Sequence, residues 1–449
     1  MTSSSTLHLF VSLSEHGHHE AAWRMPEADP GAAHSAAHFI HVAKLAEAAK
    51  FDAFFLSETL AVWGEVEQGP TTRLEPTVLL ATVGAVTERL GLIGTSSTTY
   101  ADPFTLARRF ASLDHLTNGR AGWNIATTAD DKAAANFSQA HLPLHSDRYR
   151  RATEFVEVVE KLWDSWDDDA LIVDKERGVY ANPDQVRTID HEGDYFQVRG
   201  PLNVIRPPQG HPVLIQAGAS EDGRAFAARF AEVIFTAQPT LEEALAFSAD
   251  MRRRIEEAGR DPSAVKIVPG LAPIIGLTEE AAKAREEQIQ NLIVERYALY
   301  RLSRWLQVPT DGWDLDAPLP EDLPDVADVN GMKARFQLIL DWGKREQYTV
   351  RQLLGVLAGA HGHRVFTGTP VQLADTIQEW FEAGAADGFV IQPQVLPTEF
   401  EMFTAHVVPE LQRRGLFRTE YSGRTLRDHL GLRRPDLSMR SAAAGALVG

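Results

Sequence analysis

Directly after a strand-like run at residues 7–13 the chain reads His16-Gly-His18-His19, three imidazoles within four residues. Histidine is the side chain that titrates nearest neutrality, so such a cluster suits proton transfer, substrate contact or metal binding. A metal hydrolase built on a first-strand His-x-His pair needs further ligands at later strand ends. Here the strand-like segments ending at Gln216 and Phe235 carry no histidine, and Asp387 precedes the last strand instead of following it. The zinc motif His-Glu-x-x-His also fails, because His19 and Glu20 are followed by Ala21, Ala22 and Trp23. No metal is expected. His16, His18 and His19 become substrate-side candidates, with His18 the one assigned a catalytic part.

A second constellation points to an anion. His145 and Tyr149 stand four apart where a helix begins, which puts both donors on one face. Gly218 and Ser220 lie where a strand passes into a helix, offering free backbone N–H groups, a hydroxyl and a positive helix end to a phosphate. The same segment is not a serine-hydrolase elbow, since Asp222 stands where that motif needs glycine. Neither a P-loop nor a GxGxxG follows any strand. His361-Gly-His363 reads as a turn over the site, with His361 a further substrate-side candidate, and the acidic run at residues 167–169 reads as a solvated turn.

These residues need a scaffold that brings distant segments together. Strand-like runs at residues 7–13, 51–56, 90–98, 119–128, 213–216, 232–235, 265–275 and 388–392 alternate with Ala-rich amphipathic stretches. That alternation predicts an α/β fold, a (β/α)8 TIM barrel with two large irregular insertions at about 164–210 and 302–367. One barrel domain over residues 1–415 is expected, followed by a tail at 416–449 whose last dozen residues read as disordered. The chain has 449 residues, 44% of them hydrophobic and 24% charged, with no cysteine and a net charge of -18. No thiol chemistry, disulfide or iron–sulfur cluster is therefore expected, and the negative surplus disfavours nucleic acid and anionic membranes. Residues 1–5 are too short for a signal peptide before the first strand, so a cytoplasmic location is expected.

The ordered motifs resemble one family. Glu75-Pro-Thr, Glu88-Arg-Leu-Gly-Leu, Thr95-Ser-Ser-Thr-Thr-Tyr100, Ala107-Arg-Arg-Phe-Ala-Ser-Leu-Asp-His115 and Gly119-Arg-Ala-Gly-Trp-Asn124 look like flavin monooxygenases of the nitrilotriacetate and dibenzothiophene-sulfone monooxygenase group, within the bacterial-luciferase-like superfamily. The likeness continues through His145-Ser-Asp-Arg-Tyr149, Leu162-Trp-Asp-Ser-Trp166, Arg199-Gly-Pro-Leu202, Gln216-Ala-Gly218, Gly368-Thr-Pro370 and Ala385-Ala-Asp-Gly-Phe389.

The resemblance implies FMN, bound as FMNH2 supplied by a separate NAD(P)H:FMN reductase, with O2 activated on the flavin as a peroxide. The reaction implied is oxygenation of a small organic substrate by C–N or C–S cleavage or hydroxylation, as in xenobiotic degradation. By position, the flavin contacts fall on Glu58, Thr95, Asn124, His145, Tyr149, Gly218 and Ser220, with Thr95 and Asn124 at the reactive edge. Glu58 departs from the aspartate common in relatives. Both insertions are expected to act as lids, and the histidine-rich first loop to favour an anionic substrate. A homodimer or homotetramer is the expected assembly. The alternatives are an F420-dependent oxidoreductase of the same superfamily and a metal-dependent amidohydrolase on the same barrel.

Overall fold

The computed structural model describes residues 6–62 and 66–437. Eight parallel strands close into a barrel: β1 (His8–Leu13), β2 (Ala53–Leu56), β3 (Gly91–Ser97), β4 (Ala121–Ala126), β5 (Val213–Gln216), β6 (Val233–Thr236), β7 (Lys266–Ile275) and β8 (Gly388–Ile391). They pair in sequence order, β6 pairs β7, and β8 returns to pair β1. The (β/α)8 expectation therefore holds. The strands carry buried apolar residues on both faces, as a parallel sheet covered by helices requires. The helices between them start on side-chain caps: Ser35 accepts from the His38 N–H, Asp102 from Thr105 and Thr240 from Glu243. Pro76, Pro103 and Pro370 occupy first turns, where a missing N–H costs nothing.

The barrel's foot is plugged from the C-terminal tail. Leu426, Leu430 and Leu432 pack with Phe10, Ile93, Val213 and Val268 inside the barrel. Arg427, 3% exposed, donates to both Glu232 oxygens at 2.7 and 2.9 Å. The residues expected to end the chain in disorder, 438–449, lie outside the described residues.

The two insertions differ from expectation. Residues 164–210 begin at the foot of the helix His145–Trp163 and form two short antiparallel hairpins. Gln209 and His211 lie at that end, hydrogen-bonded to Asp114 and Asp164. This first insertion is thus at the opposite end from the strand C-termini and is not a lid. Its acidic run is solvated only in part: Asp168 and Asp169 are exposed, and Asp167 is not. Asp167 is 3% exposed and takes two hydrogen bonds from Arg187, at 2.6 and 2.8 Å, while Asp168 meets Arg206 and Arg434. Distant arginines supply that pairing, which local sequence does not display.

The second stretch is more ordered than expected. It carries the helices Glu295–Leu306, Lys333–Glu346 and Val350–Ala360, with a core of their own around Leu302, Phe336, Ile339 and Leu353. A ninth strand, Arg364–Gly368, pairs parallel to the outer half of β7. These helices rise from the strand C-termini and cover the barrel mouth.

Candidate active site

Barrel strands end where side chains from different β–α turns can meet, and here hollows that share walls open at the mouth, three of them holding the residues singled out by sequence. The first, about 240 Å³, holds His145, Arg148, Tyr149, Gly218 and Ser220, with Arg335 above. The second, about 610 Å³, includes Glu58, Thr95, Asp130 and Arg304. The third, about 330 Å³, gathers His16, His18, His19, Arg73, Arg301 and His361. Phe235 separates the first from the third, and Glu58 the second from the third.

In the first hollow, β5 ends at Gln216 and Ser220 caps the helix Glu221–Phe230, accepting from the Gly223 N–H at 3.2 Å. His145 opens the helix His145–Trp163, so its ring and that of Tyr149 lie 5.0 Å apart. The His145 ring is held between Asp222, 2.8 Å from Nδ1, and the Ser220 hydroxyl, 3.4 Å from Nε2. Burial lowers the pKa of this imidazole against the opposing pull of Asp222. The Tyr149 hydroxyl hydrogen-bonds with Ser220 and Thr127, and burial keeps it protonated by raising its pKa. A Cβ at Gly218 would come within 2.6 Å of that hydroxyl and 2.3 Å of Gln216 Nε2. The absence of a side chain at 218 thus makes room for the tyrosine. Among the described residues no aspartate or glutamate lines this hollow, Asp222 lying behind the His145 ring, whereas Arg148, Lys333 and Arg335 do. Sequence spacing identified four of these residues; the cations from the lid and Arg148 were missed, because nothing local ties them to the site.

At the second hollow the reactive-edge pair is already joined. Asn124 Nδ2 donates to Thr95 Oγ1 at 2.9 Å, and that hydroxyl donates to the Leu56 carbonyl at 2.8 Å. The register that sets Thr95 beside Asn124 in β3 and β4 makes this contact possible. Thr95 has spent its proton, and the group left over is Asn124 Oδ1, buried and without a partner. The pair therefore offers an acceptor to a ligand N–H. Glu58 follows β2; burial, then the neighbouring Glu75, push its carboxyl up to about 7.

The third hollow sets its histidines and arginines among aromatic walls from Trp23, Phe55, Phe235 and Tyr297. The first loop runs beside the loop after β8: the His18 N–H donates to the Pro393 carbonyl at 2.8 Å and the Leu396 N–H to that of His16 at 2.7 Å. Gly17, at φ +128°, passes so near the Gln394 carbonyl that a Cβ would lie 2.2 Å from it. Burial drives His18 down to about 4, aided by Arg73, and His19 down to about 3, aided by Arg301; it lowers His16 and His361 as well. These rings are neutral near pH 7, so they do not attract an anion as charges; the cations here are Arg73 and Arg301.

Arg73 is committed to Glu15, 2.7 Å from its Nε. Arg301 reaches Glu20 at 3.4 Å and donates to His361 Nδ1 at 2.8 Å, so His361 orients Arg301. Burial raises Glu20 to about 7 despite Arg301. His19 Nδ1 accepts from the Ala21 N–H at 3.1 Å, which fixes the proton on its free Nε2. Among the described residues no three His, Asp or Glu side chains are placed to hold one metal ion, which leaves the amidohydrolase alternative without a ligand set. Nor is any helix among them long and apolar enough to cross a membrane.

The residues fit a phosphorylated, ring-bearing ligand: an acid-free cationic hollow at a helix N-terminus, a glycine cradle, and an orphaned buried acceptor at Asn124. Comparison with known proteins bears on that fit. The Luciferase-like monooxygenase family model matches residues 16–387. The chain is 48% identical over 429 residues to N-acetyl-S-(2-succino)cysteine monooxygenase of Bacillus subtilis (strain 168), covering 95% of this chain and 97% of that protein. It is 46% identical over 436 residues to nitrilotriacetate monooxygenase component A of Aminobacter aminovorans, covering 94% and 96%. Among solved structures, a riboflavin lyase with modified FMN superposes with a TM-score of 0.84 at 30% identity, covering 96% of this chain and 97% of that one.

Proposed function

Since the chain belongs to the luciferase-like monooxygenase family, we propose that it is the oxygenating component of a two-component system, using FMNH2 delivered by a separate NAD(P)H:FMN reductase. The observation that carries this is the pairing of a phosphate-sized hollow whose described lining holds no acid with a second hollow lined by Thr95, behind which the Asn124 oxygen is buried without a partner. His145, Tyr149, Gly218 and Ser220 hold the phosphate end. Glu58, Thr95 and Asn124 hold the ring, with Asn124 Oδ1 accepting from a ring N–H. When bound, reduced flavin supplies the electrons that activate O2.

The chain's own residues do the rest. A dianion beside His145 favours its imidazolium, because opposite charge stabilises the charged form, so Nε2 then donates to the phosphate while Asp222 holds Nδ1. The lid helices exclude water from the mouth, which limits loss of reducing equivalents to solvent-derived side reactions. In the third hollow, His18, neutral at pH 7, accepts a proton at a free ring nitrogen, and His19 Nε2–H donates. Arg301, steered by His361, holds a polar substrate.

The substrate favoured is a small, polar, carboxylate-bearing compound oxidised at a C–N or C–S bond. Nitrilotriacetate and N-acetyl-S-(2-succino)cysteine, which name the two relatives above, are both of that kind. The test is an anaerobic FMNH2 titration, followed by aerobic turnover with NADH, FMN and a generic flavin reductase. Tight FMNH2 binding and substrate-dependent incorporation of labelled oxygen are expected; failure to bind FMNH2 removes the proposal.

A further inference from the structure

The phosphate hollow has a roof, and the roof comes from the lid. Lys333, Ala334 and Arg335, the first turn of the helix Lys333–Glu346, form part of its wall. The N-cap of that helix is Met332, and no side chain caps it; the Lys333 N–H goes to the Gly331 carbonyl at 3.1 Å, and the N–H groups that follow lack the partner a Ser or Asp would give. Arg335 is the second, independent feature. Its Nη1 is buried with no hydrogen-bond partner, and among the described residues it forms no ion pair. The charged neighbour felt by Arg335 is another cation, Arg301. The guanidinium lies in space that only a glycine at 362 leaves open, since a Cβ there would be 2.3 Å from Nη1. A guanidinium nitrogen buried without a partner is costly, and an anionic ligand is what offsets that cost.

The adjoining lid residue already grips the barrel side. Asn330 Oδ1 accepts from the His145 N–H at 2.9 Å, and its carbonyl accepts from Arg148 at 3.0 Å. The helices joined to this segment also carry Arg301 and His361 into the third hollow. The position of the roof therefore sets the shape of the substrate cavity as well.

We propose that the phosphate site is shared between barrel and lid: His145, Tyr149 and Ser220 hold the flavin phosphate from one side, while Arg335 and the uncapped N-terminus of Lys333–Glu346 hold it from the other. The lid then docks fully only over a phosphorylated flavin, and the enzyme selects FMN over riboflavin through a residue of the lid. This rests on the flavin reading given above.

The test uses the full chain, with oxidised FMN, riboflavin and inorganic phosphate as probes, and compares wild type with Arg335→Gln, Arg335→Lys and Ser220→Ala. Binding is followed by flavin fluorescence, and lid docking by amide hydrogen exchange across residues 333–346. Arg335→Gln is expected to weaken FMN about tenfold, the scale of one charge-assisted hydrogen bond, and to leave riboflavin unchanged, with Arg335→Lys in between. FMN and inorganic phosphate are expected to slow exchange in residues 333–346; riboflavin is not, and Arg335→Gln abolishes the protection.

Equal loss of both flavins, unchanged FMN affinity in Arg335→Gln, or protection by riboflavin equal to that by FMN overturns the proposal. If Ser220→Ala erodes the FMN preference and Arg335→Gln does not, the proposal falls while the flavin reading of the barrel side stands. If wild type shows no preference for FMN over riboflavin, the flavin reading of this hollow falls with it. Should Arg335→Gln fail to fold, the exchange measurement on wild type with the three probes decides by itself.

Discussion

Replacing Gly218 by alanine tests whether the phosphate hollow is built around Tyr149. The added Cβ would lie 2.6 Å from the Tyr149 hydroxyl and 2.3 Å from Gln216 Nε2, both closer than van der Waals contact allows. Each clashing atom is the far end of a side chain, so the fold can yield by moving them; the stability cost expected is that of modest overpacking, about 1–3 kcal/mol. The functional cost is larger in proportion. Moving the tyrosine hydroxyl breaks its hydrogen bonds with Ser220 and Thr127 and withdraws a donor from the phosphate. Loss of one hydrogen bond to a charged group, roughly 1.5–3 kcal/mol, corresponds to about a 10- to 150-fold weaker FMN complex. The assay is a double-mutant cycle with Tyr149→Phe, read both by chemical denaturation and by FMN fluorescence titration. Without the hydroxyl, Gly218→Ala should cost FMN affinity little further, although the contact with Gln216 leaves part of the stability loss. Additive effects on FMN affinity, or wild-type affinity in Gly218→Ala, would refute the reasoning.

Four other outcomes follow from the same geometry. Asn124→Ala removes the unpaired acceptor and the donor to Thr95, and is expected to weaken FMN and riboflavin alike, leaving their affinity ratio unchanged in parallel titrations. Glu58, at about 7, is neutral below that pH and a carboxylate above it, so FMN affinity should fall as pH rises through about 7; Glu58→Gln should flatten that limb in a pH titration. Its folded pKa lies above the unfolded value of 4.5, so its stability contribution is full below 4.5 and is lost as pH rises through about 7; Glu58→Gln should therefore be relatively more stable above pH 7 in denaturant melts. Arg427→Met strands Glu232 at the foot of the barrel and should cost about 3–5 kcal/mol by denaturation, the scale for breaking a buried ion pair, with FMN affinity of the folded fraction unchanged.

Local sequence was sufficient for whatever depends on period and chain neighbours. Alternating apolar strands and capped amphipathic helices determine the barrel, since each strand must be buried on both faces and each helix on one. His145 and Tyr149 share a face because a helix repeats every 3.6 residues, and Ser220 sits at a helix start because its own hydroxyl makes the cap. Thr95 and Asn124 could be named as a pair, but only the register of β3 on β4 decides that the amide spends its donor on the hydroxyl and leaves an acceptor free.

The remainder was decided by tertiary structure. Residues 164–210 and 302–367 look equally irregular as sequence; one lies at the foot of the barrel and the other roofs its mouth, because one leaves the end of a descending helix and the other rises from the strand C-termini. The charge of the site was illegible for the same reason. The first-loop histidines are neutral because burial penalises the imidazolium. The cations that matter, Arg301 and Arg335, come from helices some three hundred residues further along the chain. Burial and through-space charge have no period in the sequence, so they become visible only when the chain is folded.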